Sequence, residues 1–494
     1  MIYDVAIIGA GIIGSCIARE LSKYKLNVCM IDKADDVSCG TSKANSGIIH
    51  AGYDPVPGSL MAKLNVQGTA MYEKLSQELH FDFKKIGSLV VAFSEADMEH
   101  VRKLYERGLK NGVPDMEIIG AEKLRELEPN ISEEAVGALW ARSAGITSPY
   151  QATWAIAENA VMNGVKLFLE HEVHAVRREA AAAGTGDGTG ELWHVVTGKA
   201  DFAARCVINA AGLYADKVSA MAGARDFVIK SRRGEYFLLD NKCASLAHHT
   251  LFQTPDEYGK GVLVTPTADG NILVGPSAVD DSDRSNLETT AEGQNLIFQK
   301  GEKTIPEIPR RNIINSFAGM RAIAMNPDGS GVNDFIIEED TKAPGFINVA
   351  GICSPGLSAA PAIGLYVAGL VEKVLGGSLR KNADFVAVRK GIESFKHADE
   401  ERKKQLIEEN PLYGRIICRC EMITEAEIVA AIKSPVGARD LDGVKRRTRA
   451  GMGRCQGGFC SPRVTEIISR ERSIPMTSVT KNGGCSYILN SKTR

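Results

Sequence analysis

Four short stretches, residues 5–8, 27–31, 207–211 and 346–350, are apolar almost throughout, as strands buried on both faces of a parallel sheet are. Apolar residues recur at helical spacing over 60–80, 95–111, 151–163 and 359–375, and the last of these predicts a helix returning the chain to its first domain. Further strands are predicted at 87–93, 136–146, 165–170 and 173–176. Strand-like runs at 235–239, 261–266 and 271–274, with a loop at 280–285, predict an antiparallel block. The glycine-rich residues 184–190 predict an exposed hairpin loop. From 382 to 411 the pattern is strongly charged and predicts a solvated helix or linker, hence a domain boundary.

The first of these strands carries the first chemistry. Residues 9–14 match G-x-G-x-x-G between an apolar strand and a helix, and Asp32 closes the next strand eighteen residues after Gly14. Gly9 serves the tight turn, Gly11 lets a pyrophosphate approach the backbone, and Gly14 lets helix and strand pack closely. The helix N-terminus offers N–H groups to phosphates, and Asp32 offers an acceptor to a ribose hydroxyl. The small polar stretch 38–47, followed by 48–52, is placed to line a flavin rather than a nicotinamide. Gly212, ending the strand from 207, predicts a second backbone approach to the cofactor.

Composition bounds the rest. A chain of 494 residues suggests about three domains, and 44% hydrophobic with 24% charged residues is a globular balance. A net charge of −2 argues against a nucleic-acid partner, although residues 412–494 carry 15 Lys/Arg against 7 Asp/Glu, leaving −10 for the remainder. Asp4 and the glycine turn follow the first residue at once, so no signal peptide is expected. The apolar stretch 359–375 contains Glu372 and Lys373, so no transmembrane segment is expected either. Eleven cysteines without a signal point to a reducing cytoplasm, with peripheral membrane attachment left open.

Four of those cysteines, Cys418, Cys420, Cys455 and Cys460, fall within 43 residues. Thr424 and Glu427 form a predicted capping box between the two pairs, and Ser461 and Pro462 predict a capped helix start after them. Structural zinc prefers wider chelate spacing than C-x-C, and disulfides need an oxidising compartment. A four-thiolate iron–sulfur centre, of the [2Fe–2S] type, is the favoured expectation. Arg415, Arg419, Lys445, Arg446, Arg447, Arg449 and Arg454 are expected to offset its negative charge, or else to form a solvated face.

These residues carry a resemblance. Residues 1 to about 375 resemble the D-amino-acid-oxidase-like superfamily of FAD oxidoreductases. Within it, residues 42–52 and 232–236 are similar to both the flavin-dependent glycerol-3-phosphate dehydrogenases and oxidases and the L-2-hydroxyglutarate oxidases. Residues 259–266, 269–271, 274–276, 317–321 and 354–361 fit the glycerol-3-phosphate branch better. Residues 418–463 resemble the bacterioferritin-associated-ferredoxin type of [2Fe–2S] domain.

The resemblance implies substrate contacts at Ser46, His50, Lys260, Arg321 and Ser354. It implies FAD contacts at Ile13, Asp32, Thr41, Ser42, Ser46, Gly47, Ile48, Val173, Ile352, Cys353 and Ser358, with Asp32 standing where a glutamate is common. A neutral imidazole suits removal of an alcohol proton, which makes His50 the expected base. Arg321 offers a planar fork to a phosphate or carboxylate and Lys260 a second cation, so these three are the expected catalytic residues.

The expected fold class is therefore α/β: a FAD-binding Rossmann-like domain (1–80, 145–225 and 315–380) with an inserted antiparallel substrate sheet (81–144 and 226–314). A charged linker (381–411) and a small helical [2Fe–2S] domain (412–494) complete it. The expected reaction is FAD-dependent oxidation of sn-glycerol 3-phosphate to dihydroxyacetone phosphate. Electrons would leave through the cluster to an acceptor protein or a second flavoprotein subunit. An L-2-hydroxyglutarate or related 2-hydroxy or amino acid dehydrogenase, and a partner-docking electron-transfer module, remain as alternatives.

Overall fold

The structure, a computed structural model, describes residues 2–180, 191–255 and 261–491. Lys260 and the glycine-rich loop 184–190 lie outside the described residues.

The apolar strand Ile2–Ile8 sits between Asp201–Asn209 and Val28–Ile31, both parallel to it, and Lys166–Phe168 extends the sheet beyond Val28–Ile31. The second half of Asp201–Asn209 also pairs in parallel with Phe346–Ala350, so the four apolar runs seen in the sequence form one eight-stranded sheet with its neighbours. Such strands are apolar because helices cover the sheet. Ile12–Leu21 packs on Gly356–Val374 so closely that a Cβ on Gly364 would lie 2.8 Å from the carbonyl oxygen of Cys16. Gly356–Val374 has the length and composition of a membrane span, but it lies against Ile12–Leu21 and Leu60–Leu79 with 56% of its apolar window buried.

A second, nine-stranded sheet is antiparallel except where Thr250–Gln253 runs parallel to Ser88–Ala92. Its longest pair is Val228–Leu239 with Ile313–Met325, in a register that places Arg232 opposite Arg321 and Tyr236 opposite Phe317. Ile313–Met325 therefore belongs to the second sheet, and the boundary expected at 315 moves past Met325. Residues 136–146 are two strands rather than one. Gly137–Ala141 joins the second sheet, whereas Gly145–Thr147 bridges Ile48–Ile49 and Phe83–Lys84 in a small third sheet.

Residues 381–411 are not a free linker. Backbone N–H groups of Lys25, Asn382 and Arg389 donate to the carbonyls of Arg380, Lys23 and Glu78, pinning the segment along the first domain. Arg389 is 1% exposed, donates to Glu158 at 2.9 Å and to the carbonyl of Leu79 at 2.8 Å, and lies over the Trp154 ring. Only Glu400–Glu409 within it is the expected charged helix. The charge pattern misleads because a few residues, Arg389 foremost, are spent inward.

The C-terminal residues fold as a two-stranded hairpin, Ile416–Cys418 with Ile423–Thr424, and three helices, Glu425–Lys433, Leu441–Thr448 and Ser461–Arg472, around Ile428, Val444, Val464 and Ile468. Thr424 and Glu427 form the expected capping box. Ser461 does not cap: its hydroxyl donates back to the carbonyl of Gly457, and Cys460 holds the cap position.

Candidate active site and cysteine centre

The turn after Ile2–Ile8 needs its glycines for measurable reasons. Gly9 has φ +112°, and a Cβ there would lie 2.3 Å from the carbonyl oxygen of Ala210; one on Gly14 would lie 1.9 Å from that of Gly9. Gly11 leaves the mouth of Ile12–Leu21 open, and the hydroxyl of Ser42 accepts from the Ile12 N–H at 2.9 Å. Asp32 accepts from the N–H groups of Ala10 and Ala34 at 2.7 and 2.8 Å. Burial pushes its carboxyl above the ordinary range although both N–H groups oppose that shift.

From this turn a cavity of about 1080 Å³ runs between the two large sheets. It exceeds the roughly 300–1,000 Å³ of ordinary small-ligand pockets. Gly9, Gly11, Ile13, Asp32, Thr41, Ser42, Val173 and Gly212 border its dinucleotide end. Ser46, Ile48, His50, Arg321, Ile352, Cys353 and Ser354 border it as well. Three expected residues stand behind the wall instead. Gly14 packs on Gly9, Gly47 has φ +69° with no room for a Cβ beside Thr147, and the buried Ser358 hydroxyl accepts from the His50 N–H at 2.7 Å.

The two sheets are locked together at this point. Thr41 donates its hydroxyl to the carbonyl of Met320 at 2.8 Å, and a Cβ on Gly319 would lie 1.9 Å from the carbonyl oxygen of Ala44. That contact fixes Arg321 beside the loop carrying Ser46 and His50. Arg321 donates to the carbonyl of Ser277, at 3.4 Å, and has no acidic partner among the described residues. Opposite it, Arg232 is paired with Asp280 at 2.6 Å. The carbonyl of His50 accepts from Asn65 and Thr69, and its ring stacks on Phe252 with centroids 5.6 Å apart.

Sequence reasoning missed Tyr236 and Phe252, both on the cavity wall. Tyr236 is buried and stacked on Phe317; burial raises its phenol, while Arg321 and a hydrogen bond with Ser46 pull it back. The only signal was its place two residues beyond Gly234 in an alternating strand, where one face must meet the cavity.

In the C-terminal region Sγ of Cys420 lies 3.6 Å from Sγ of Cys455, and Cys418 is hydrogen-bonded to Cys460. Cys418 is within electrostatic reach of all three others. Two thiolates on one tetrahedral metal ion, at bond lengths of about 2.3 Å, stand about 3.8 Å apart. N–H groups of Gly451 and Glu421 reach Cys418, and those of Phe459 and Gly457 reach Cys455. A ring of such donors suits sulfur ligands carrying negative charge, so paired sulfurs and donors both fit a cluster.

The basic residues expected to offset the cluster are mostly spent elsewhere. Arg446 and Arg447 converge on buried Asp36 at 2.6 and 2.7 Å, four residues past Asp32. Burial raises that carboxyl, and Arg447 and Arg446 outweigh it, holding Asp36 at about 2. Arg449 pairs with Asp269 at 2.6 Å and with Glu421 at 3.1 Å, joining the second sheet to the residue after Cys420. Arg415 pairs with Glu425 and Arg454 with Asp240. Arg415 is paired within its own region, while Arg446, Arg447, Arg449 and Arg454 seat the C-terminal region on the other two.

Residues 4–370 match the FAD dependent oxidoreductase family, and residues 416–470 match the BFD-like [2Fe-2S] binding domain. A glycerol 3-phosphate dehydrogenase of Caloramator mitchellensis is 48% identical over 492 residues, covering 100% of this chain and 99% of its own. An L-2-hydroxyglutarate dehydrogenase of Nematostella vectensis is 30% identical, covering 74% of this chain and 90% of its own. The structure of L-alpha-glycerophosphate oxidase from Mycoplasma pneumoniae with FAD bound is 33% identical, with a TM-score of 0.71 over 79% of this chain and 98% of that one. The chain belongs to the FAD dependent oxidoreductase family and carries a BFD-like [2Fe-2S] binding domain near its C-terminal end.

Proposed function

We propose that the chain oxidises sn-glycerol 3-phosphate to dihydroxyacetone phosphate. The observation that carries this reading is Arg321: a guanidinium on the wall of a dinucleotide-sized cavity, without an acidic partner among the described residues, while its cross-strand neighbour Arg232 is occupied. When bound, FAD supplies the hydride acceptor and the [2Fe–2S] cluster a one-electron exit.

The chain's own residues do the rest. Arg321 binds the phosphate through its planar fork, with Lys260 assigned as a second cation on the sequence alone. Ser46 and Ser354 orient the glycerol hydroxyls, and Tyr236 fixes the Ser46 hydroxyl. His50, held through its backbone by Ser358, Asn65 and Thr69, takes the proton from the reacting hydroxyl. Cys418, Cys420, Cys455 and Cys460 would hold the cluster, which would supply a one-electron path towards an acceptor protein or a second flavoprotein subunit.

A carboxylate would also suit Arg321, and the hydroxyglutarate relative supports that second reading. Anaerobic mixing of the holoprotein with glycerol 3-phosphate, L-2-hydroxyglutarate and simple 2-hydroxy and amino acids decides between them. Bleaching of the flavin by glycerol 3-phosphate alone is the expected result. Bleaching only by a carboxylate substrate overturns the phosphate assignment.

A further inference from the structure

His50 borders a second cavity, of about 10 Å³, together with Gly52, Tyr53, Asp54 and Asn65. That volume is about what one water molecule's centre requires. Asn65, in the helix Leu60–Leu79, is fully buried. Its amide nitrogen donates to the His50 carbonyl at 2.7 Å and to Thr69 Oγ1 at 3.1 Å, whereas its Oδ1 is buried and accepts from no group among the described residues. A buried amide oxygen without a donor is costly, and such atoms are ordinarily met by ordered water. Gly52 keeps this corner open: it has φ +113°, and a Cβ there would lie 2.6 Å from Val66 and 3.7 Å from the Asn65 amide carbon.

We propose that Asn65 Oδ1 holds a single water in this cavity, and that this water passes the proton taken by His50 on to Asp54. The proposal rests on the assignment of His50 as the base. His50 borders both cavities, the substrate's on one hand and the water's on the other. The proton balance closes without another reagent. His50 accepts the hydroxyl proton of the substrate. The water then takes one proton from His50 as it gives one to the Asp54 carboxylate. His50 is neutral again, the water is unchanged, and half-buried Asp54 releases the proton to solvent. The two electrons and the carbon-bound hydrogen leave through the cofactor, so only this proton uses the route. Asn65 is a positioning residue: it acts by fixing the water.

The carbonyl of His50 has a second donor, Thr69, which does not border the small cavity. Thr69→Val removes that donor and one acceptor of the Asn65 amide nitrogen but leaves Asn65 Oδ1 in place, whereas Asn65→Leu removes the Asn65 donor and the water's acceptor together. A crystal structure of the oxidised holoenzyme should show one water within hydrogen-bond distance of Asn65 Oδ1; a dry cavity overturns the proposal. In stopped-flow reduction, Asn65→Leu should slow the flavin step roughly 10- to 100-fold with substrate Kd changed less than about twofold, a fraction of what a general base contributes. Thr69→Val, which weakens the support of the His50 carbonyl but keeps Asn65 Oδ1, should slow the step several-fold less than Asn65→Leu. If both variants slow alike, Asn65 only supports the loop and the relay is wrong. Should glycerol 3-phosphate fail to reduce even the parent enzyme, the substrate reading falls, while the water in the crystal structure still decides this proposal.

Discussion

The dinucleotide turn and the cysteine loops meet the same physical demand, an anion cradled by backbone N–H groups, in opposite ways. The turn is built from one stretch, Gly9 to Asp32, and the carbonyls of Ala210 and Gly9 lie 2.3 and 1.9 Å from where a Cβ on Gly9 or Gly14 would sit. The cysteine centre joins two loops 35 residues apart, Cys420 and Cys455, and the region bearing it is seated by long charged side chains reaching Asp36, Asp269 and Asp240. Close backbone packing, mostly within that stretch and against Ala210, shapes the first. Buried ion pairs make the seating of the second dependent on keeping every partner, because an orphaned buried charge is costly.

If the two sites are independent, each can be lost alone. Cys420→Ser should abolish the cluster's iron content and visible absorption while FAD stays bound and is still bleached by substrate. Gly14→Ala should do the reverse, since its Cβ would overlap the Gly9 carbonyl: FAD is lost and the cluster remains. Loss of both cofactors in either variant breaks the comparison at its root. Next in size, His50→Ala should slow flavin reduction by roughly 10²–10⁴-fold with FAD retained. Reduction at the parent rate would remove His50 from the chemistry.

Legibility divides along the same line. Strand, glycine turn, helix and acid follow one another within 32 residues, so the dinucleotide half could be read locally. The capping box at Thr424 is equally local. The seating of the C-terminal region was not legible, because Asp36 and Arg447 are 411 positions apart and each taken alone looks like an ordinary surface charge. Arg389 misled for the same reason: it lies in a charged stretch, yet Glu158 and Leu79 draw it inside. Tyr236 and Phe252 required knowing which face of a strand meets the cavity, and that follows from register rather than composition.

The ion pairs give the next test. Asp36→Asn leaves Arg446 and Arg447 buried without a carboxylate, a change worth about 3–5 kcal/mol when one partner of a buried pair is removed. A urea titration of the holoprotein, followed by the cluster's absorbance, should show an earlier midpoint while FAD release is little changed. The pH dependence has a definite sign. Asp36 is held at about 2, below the ordinary value of ~3.9, so its contribution is complete above pH ~4 and is lost as pH falls through 2. Seating that weakens only as pH rises above neutrality would contradict this pairing.

The smallest expected effect sharpens the contrast most, because it concerns an arginine left for a ligand. In the C-terminal region the buried Arg446 and Arg447 and the nearly buried Arg449 each face an acid. In the cavity Arg321 donates to the Ser277 carbonyl, at 3.4 Å, and has no acidic partner among the described residues. Arg321→Lys keeps the charge and removes the planar fork, so the loss it reports is directional. One charge-assisted hydrogen bond is worth about 1.5–3 kcal/mol, hence a rise of roughly 10- to 150-fold in the Kd of glycerol 3-phosphate or an unreactive phosphate analogue, read from flavin absorbance. Arg232→Lys is the internal comparison: that side chain is already committed to Asp280, so phosphate binding should change by less than about threefold. If the two substitutions weaken binding equally, the anion is held across the strand pair rather than by Arg321. If neither does, the phosphate sits elsewhere in the cavity and the substrate assignment loses its anchor.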